Sequence, residues 1–222
     1  MNLGEIDMSD NLAQRLEQCY SAAVYDVLKN RGFAEQTLPI DIKPIEPTWK
    51  VAGRIWTVSG RAQAADPHET LLQWTGMLSK APGDHVVICQ PNDATIAHMG
   101  ELSAETMLSR GVRGYIVDGG CRDSEYIIRL GFKVFCRYFT PHDIVGCWLP
   151  EGFGEPIDIG GVTIATGDYV LGDRDGIVII PGDLAEPVVE ETEKVMQTES
   201  LVRKAILQGE DPQQAYLDHG MF

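Results

Sequence analysis

The chain has 222 residues, 44% hydrophobic and 23% charged, with a formal net charge of −15. That acidity argues against nucleic acid, whose phosphates need a basic footprint, and offers no basic patch to a membrane surface. No apolar run is long enough to cross a bilayer, MNLGEIDMSD lacks the pattern of a signal peptide, and five cysteines without a CxxC pair argue against a disulfide framework or zinc cluster, so a cytoplasmic protein is expected.

Leu12, Leu16, Cys19 and Tyr20 recur at helical spacing, predicting a helix with Ser9 or Asp10 as its cap. Ser21 opens a second helix, over AAVYDVLKNRG, that stops at Gly32. Asp26 lies on it, where an acid is ordinarily a solvated residue. After Pro44 and Pro47, VAGRIWTVSGRAQ alternates as a strand. HETLLQWTGMLSKA reads as an amphipathic helix, Pro82-Gly83-Asp84 as a turn and HVVIC as a buried strand. ATIAHMG is expected to be another strand, and Leu102 to Arg110 a helix closed by Gly111. GYIVDGG reads as a buried strand with its turn, SEYIIRLG as a helix stopped by Gly131, and KVFCRYF as a further strand. Most of the cysteines fall in such apolar runs and read as buried small hydrophobes.

From Pro141 the texture changes to β structure punctuated by Gly and Asp. Within it, Gly172-Asp173-Arg174-Asp175-Gly176 resembles half of a calcium loop, but the remaining ligands are missing, so a tight turn is expected. Leu184 to Gln208 reads as one long amphipathic helix. Nothing in the middle looks like a linker. The expectation is a single mixed α/β domain over residues 1–222, with helices over 1–32 and a helix and tail over 181–222.

The stretch from Gly100 to Asp123 carries the chemistry. Glu101 follows a glycine at the mouth of a helix, and twenty residues separate it from Arg122-Asp123, which follow a Gly-Gly turn at a strand end. Two carboxylates and a guanidinium thus fall at neighbouring loop ends on one sheet edge, where open α/β folds place their sites. The unpaired N–H groups of a first helical turn bind carboxylates and phosphates, and Gly100 permits close approach. Each residue also has a structural explanation. Glu101 would complement the helix dipole, Asp123 would cap the next helix, Arg122 would pair with a surface acid, and Asp118 would satisfy the Gly119-Gly120 turn. His98 is the best placed of the five histidines, although a lone His is more often structural. GxSxG, HExxH, P-loop and GxGxxG motifs are absent from the sequence.

The acid-x20-Arg-Asp spacing of Glu101 and Arg122-Asp123 resembles the motif of the RraA-like family, which includes the 4-hydroxy-4-methyl-2-oxoglutarate / 4-carboxy-4-hydroxy-2-oxoadipate aldolases. SAAVYDVL, PGDHVVI, GFKVF and GDYVLGDRDGIVIIP extend the resemblance over most of residues 20–210. It implies an RraA-like α/β domain of the swivelling β/β/α type. It also implies a lyase for 2-oxo acids, dependent on Mg²⁺ or Mn²⁺, with retro-aldol cleavage and oxaloacetate decarboxylation proceeding through a pyruvate enolate.

Residue by residue, the resemblance makes Asp123 the metal ligand and Glu101 the holder of the metal's waters. Arg122 would contact the keto oxygen and carboxylate of a pyruvate unit. The backbone at Gly100, Leu102 and Ser103 would grip the substrate carboxylate, although Ser103 stands where the aldolases usually have Leu. A homotrimer or homohexamer is implied, with the site between subunits and completed by the neighbour's Glu199 and Asp26. The founding member of the family is an inhibitor of a ribonuclease and lacks an acid at the Glu101 position. A non-catalytic regulator of a ribonuclease and a small-acid binder are therefore the alternatives.

Overall fold

The computed structural model describes residues 8–220. Two helices, α1 (Met8–Gln18) and α2 (Ser21–Asn30), lead into a short β1 (Lys43–Pro44) and a long β2 (Val51–Ala62). Then follow α3 (Pro67–Lys80), β3 (His85–Gln90), α4 (Glu101–Ser109), β4 (Gly114–Val117), β5 (Gly120–Cys121) and α5 (Ser124–Leu130). The chain continues through β6 (Lys133–Cys136), β7 (Tyr138–Phe139), β8 (Trp148–Phe153), β9 (Ile157–Ile159) and β10 (Val162–Ile164). The last elements are β11 (Tyr169–Gly172), β12 (Ile177–Ile180), α6 (Ala185–Leu207) and α7 (Pro212–His219).

One mixed sheet organises the domain, in the order β1-β6-β4-β3-β2-β11-β12, with β8 also paired to β2. Strands β2, β3, β4 and β6 run parallel, which requires crossovers, and α3, α4 and α5 supply them. Strand β2 is long enough for two partners on one edge: its first residues pair with β11 and its last with β8, with a register shift between Ser59 and Gly60. All of β4 and residues 86–89 of β3 are buried, as parallel strands covered on both faces should be.

Three apolar clusters fill the layers. Tyr115, Met107, Phe132 and Trp148 belong to one, which takes in the inner faces of α3, α4 and α5. Ile55, Ile88 and Phe135 join the β9–β10 hairpin in a second. In the third, α1, α2 and α6 pack on β11 and β12 through Leu16, Leu28 and Val188. The Arg15 guanidinium spans Glu186 and Glu193, fastening α1 to α6. Asp173 holds α2: its carboxylate accepts from the Ser21 N–H at 2.8 Å and the Ser21 hydroxyl at 2.7 Å. The same carboxylate accepts from the Asp175 N–H at 3.0 Å, so the 172–176 segment is a tight turn.

Several expectations need correction. ATIAHMG is irregular, its one β-bridge running from Ala97 to Gly120. The cause lies upstream: the Asp93 carboxylate accepts from the N–H groups of Thr95 and Ile96, fixing a turn where a strand would have begun. KVFCRYF is two strands split at Arg137, whose guanidinium binds Asp118 and Asp41. Asp118 therefore serves Arg137 and is not the group that satisfies the Gly119-Gly120 turn. The tail contains a helix, α7, whose signal was legible: Asp211 caps it and Pro212 follows at the first helical position. The side chains of Ser9 and Asp10, read as caps, lie outside the described residues.

Candidate active site

Adjacent parallel strands β3 and β4 end side by side. The loop after β3 leads to α4, and the loop after β4 leads to α5. Backbone hydrogen bonds zip these loops together. His98 N–H donates to the Gly120 carbonyl and Arg122 N–H to the Met99 carbonyl, both at 2.9 Å, beside the Ala97–Gly120 bridge. Gly120 has to lack a side chain, because a Cβ there would sit 2.5 Å from the Ile96 carbonyl oxygen. The zipped loops bring Arg122 and Asp123 against Gly100.

Asp123 occupies the N-cap position of α5, yet its side chain makes no cap bond to that helix. Its backbone is left-handed, with φ 55° and ψ 29°, a region that Asp tolerates better than most residues. The carboxylate turns instead to α4, where Oδ2 accepts from the Glu101 N–H at 3.1 Å. The Arg122 Nε lies 3.5 Å from the same oxygen, and the Arg122 Nη1 donates to Asp143 at 3.0 Å. Asp143 in turn accepts from the Val145 N–H, which fixes its loop. Arg122 is thus a guanidinium held between two acids, and its remaining N–H groups have no acceptor among the described residues.

Gly100 caps α4 in an extended conformation. A Cβ on it would lie 2.9 Å from the Asp123 Oδ2 and 3.2 Å from the Arg122 Nε, so the glycine is what lets these groups crowd the helix mouth. Ala104 N–H begins the helical ladder by donating to the Gly100 carbonyl. The N–H groups of Leu102 and Ser103 have no protein acceptor among the described residues. They point outward with the positive end of the helix dipole, as an anion-binding helix terminus requires.

These groups line a cleft of ≈ 380 Å³. Gly100, Glu101, Leu102, Ser103, Arg122 and Asp123 all meet there. Asp26 and Glu199 do not line it. Asp26 is exposed on α2, and Glu199 on α6 accepts a short hydrogen bond from the Tyr20 hydroxyl. Burial, with Glu199 adding, pushes the Tyr20 phenol up to about 12. Sequence reasoning missed Asp143, which nothing in its local pattern marks, and Trp74, whose indole N–H donates to the Ser103 Oγ at 2.9 Å. His98 lies beneath the cleft, with its side chain fully buried. Neither ring nitrogen has a hydrogen-bond partner among the described residues, and burial pushes its pKa down to about 4, so it is neutral near pH 7.

The cleft residues fit a hard divalent cation. No group of three or more His, Cys, Asp or Glu side chains among the described residues is placed to cage a metal. A single carboxylate with acid neighbours suits Mg²⁺ or Mn²⁺, since Mg²⁺ usually binds through one or two carboxylates and keeps several of its waters.

Residues 21–179 match the RraA-like family, described as Aldolase/RraA. The chain belongs to the RraA-like family. A relative from Halalkalibacterium halodurans, named "Putative 4-hydroxy-4-methyl-2-oxoglutarate aldolase", is 31% identical over 98% of this chain and 97% of its own length. Protein DlpA of Legionella pneumophila is 29% identical over 98% of this chain, but the chain spans only 35% of DlpA. Among solved structures, Streptomyces coelicolor RraAS2, an unusual member of the RNase ES inhibitor RraA protein family, superposes with a TM-score of 0.78 at 24% identity, covering 87% of this chain and 97% of that one. At that identity the likeness speaks for a shared RraA-like fold alone.

Proposed function

We propose that this protein is a divalent-metal-dependent lyase that breaks a C–C bond next to a 2-oxo acid and releases pyruvate through its enolate. Its reactions would be retro-aldol cleavage of 4-hydroxy-2-oxo acids, the class that includes 4-hydroxy-4-methyl-2-oxoglutarate, and decarboxylation of oxaloacetate. The observation that carries this reading is the Asp123 carboxylate turned off its own helix and onto the mouth of α4, beside Arg122. An Asp used only as a cap would bond the helix it precedes.

Asp123 would hold Mg²⁺ or Mn²⁺, with Glu101 ordering water beside it. The bound ion supplies Lewis-acid stabilisation of the negative charge that collects on the 2-oxo group. The N–H groups of Leu102 and Ser103 donate to the substrate carboxylate. Arg122, oriented by Asp143, sets its planar fork against the keto oxygen and carboxylate. As the C3–C4 bond breaks, its electron pair moves into the enolate, and Arg122 is in place to meet that charge. The C4 hydroxyl gives up its proton to water ordered by Glu101 or by Glu199 of the partner subunit, and C4 leaves as a carbonyl. Protonation at C3 then yields pyruvate.

The reading includes a homotrimer or homohexamer in which Glu199 of the partner subunit, with Asp26 of the partner subunit, completes each site. Exposed apolar side chains next to the cleft support it, with Leu102 76% and Phe139 58% exposed. The proposed location is the cytoplasm, in keeping with five free cysteines. No helix among the described residues is long and apolar enough to cross a membrane.

The test is pyruvate release from oxaloacetate and from a panel of 4-hydroxy-2-oxo acids, with Mg²⁺ and with chelator. Release that depends on metal and is lost in Asp123→Ala supports the lyase. Metal-independent binding of 2-oxo acids without turnover would favour the small-acid binder, and a ribonuclease partner without either would favour the regulator.

A further inference from the structure

We infer that the Ser103 side chain is a further donor to the substrate carboxylate, and that Trp74 is the positioning residue that aims it. The inference rests on the 2-oxo acid reading above and deepens it.

Trp74 and Ser103 both line the cleft, one from α3 and the other from α4. Trp74 is buried, and its ring meets that of Trp148 edge-on, with centroids 6.0 Å apart and planes at 75°. Held in this way, the indole N–H reaches the Ser103 Oγ at 2.9 Å. An indole nitrogen donates and never accepts. The Ser103 Oγ is therefore the acceptor in this bond, and its own proton has to go elsewhere.

Other hydroxyls inside helices give that proton to their own helix. Thr75, Ser79, Thr106 and Thr192 each donate to the carbonyl four residues back, at 2.7 to 2.9 Å. Ser103 makes no such bond. The residue four back is Met99, which precedes the helix, and its carbonyl accepts from the Arg122 N–H at 2.9 Å. Among the described residues the Ser103 hydroxyl has no acceptor.

The hydroxyl belongs to the same helical turn whose Leu102 and Ser103 N–H groups, on the reading above, donate to the substrate carboxylate. A carboxylate offers about four lone-pair sites, so two backbone donors leave room for a third. A hydroxyl whose oxygen already accepts a bond is also the better donor, because linked hydrogen bonds polarise one another. Trp74, Ser103 and the carboxylate form such a line. Its protein part lies within one subunit, so it stands whatever the neighbour adds to the cleft. It acts on the 2-oxo acid head, which mono- and dicarboxylic substrates share.

Calorimetric titration with pyruvate in the presence of Mg²⁺ tests this on the parent, Ser103→Ala, Trp74→Phe and the double variant. Ser103→Ala is expected to weaken binding roughly 10-fold, the scale of a hydrogen bond to a charged group. Trp74→Phe keeps an aromatic ring but lets the hydroxyl turn, and is expected to weaken binding several-fold. The double variant leaves no indole N–H unpaired. It is expected to bind no more weakly than Ser103→Ala alone, because Trp74 acts through Ser103. Merely structural roles would give additive losses that track thermal stability, and that result overturns the inference. Deuterium exchange into the pyruvate methyl group reads the lyase separately. Exchange in the parent with unchanged affinity in Ser103→Ala overturns the side-chain donor and leaves the lyase standing. Binding in the expected order without exchange in the parent overturns the lyase and keeps the donor. Neither binding nor exchange in the parent overturns both.

Discussion

The Asp123 carboxylate accepts the backbone N–H of Glu101 at 3.1 Å, tying the start of α5 to the start of α4 across the ends of β3 and β4. The bond sets the helix mouth, the acid and the guanidinium in one cleft. It also separates two roles that mutation can tell apart, because the hydrogen bond needs only an acceptor whereas a cation needs the charge.

Asp123→Asn keeps an acceptor and suits the left-handed backbone. Stability is expected to change by less than about 1 kcal/mol, the scale of a cap bond. Activity is expected to fall by on the order of 10²-fold or more, together with its response to Mg²⁺. Urea unfolding and metal-titrated kinetics check the two halves. An active variant that is still stimulated by metal would move the ligand elsewhere.

Arg122→Lys keeps the charge and loses the planar fork. The expected cost in kcat/KM is about 10²-fold, close to that of Arg122→Ala. Asp143→Asn should leave the guanidinium in place but less well oriented, at a cost of roughly 10-fold. Steady-state kinetics of the three variants test the order. A fully active Arg122→Lys would mean that the site uses only a point charge.

Gly100→Ala places a methyl group 2.9 Å from the Asp123 Oδ2 and 3.2 Å from the Arg122 Nε. Both side chains are more than one-third exposed and able to move aside, so the fold should persist while the geometry of the cleft fails. A loss of activity well beyond any loss of thermal stability is expected. Equal losses would mark Gly100 as merely structural.

His98 should impose a pH dependence on stability. Burial lowers its pKa from 6.5 to about 4, against a weaker opposing effect of Asp93. Between these values the unfolded chain takes up a proton that the folded chain does not. The stabilisation is complete above the unfolded pKa and is lost as the pH falls towards the folded one, by about 3 kcal/mol in all. Urea unfolding at pH 7 and pH 4.5 should show a smaller loss in His98→Phe than in the parent. An identical loss in both would mean that His98 already titrates normally.

Much of this was legible in the sequence where local pattern decides the structure. The apolar runs of β3 and β4, the helices closed by Gly111 and Gly131, and the Glu101/Arg122-Asp123 spacing are all local or strictly spaced signals. What was illegible depended on contacts distant in sequence. Asp143 matters because its loop folds across to Arg122, and Trp74 because α3 packs beside Ser103. Asp118 looked like a turn residue until Arg137 claimed it. The 94–99 segment has strand-like composition, but a single carboxylate, Asp93, fixes it as a turn.

The most direct test of the central claim is deuterium exchange into the methyl group of pyruvate, followed by proton NMR, because it requires the enolate and no particular C4 substituent. Exchange that requires Mg²⁺ or Mn²⁺, stops with chelator and is lost in both Asp123→Ala and Arg122→Ala is the predicted result. Exchange no faster than with free metal ion, or exchange that survives in both variants, would contradict an enolate site at the mouth of α4.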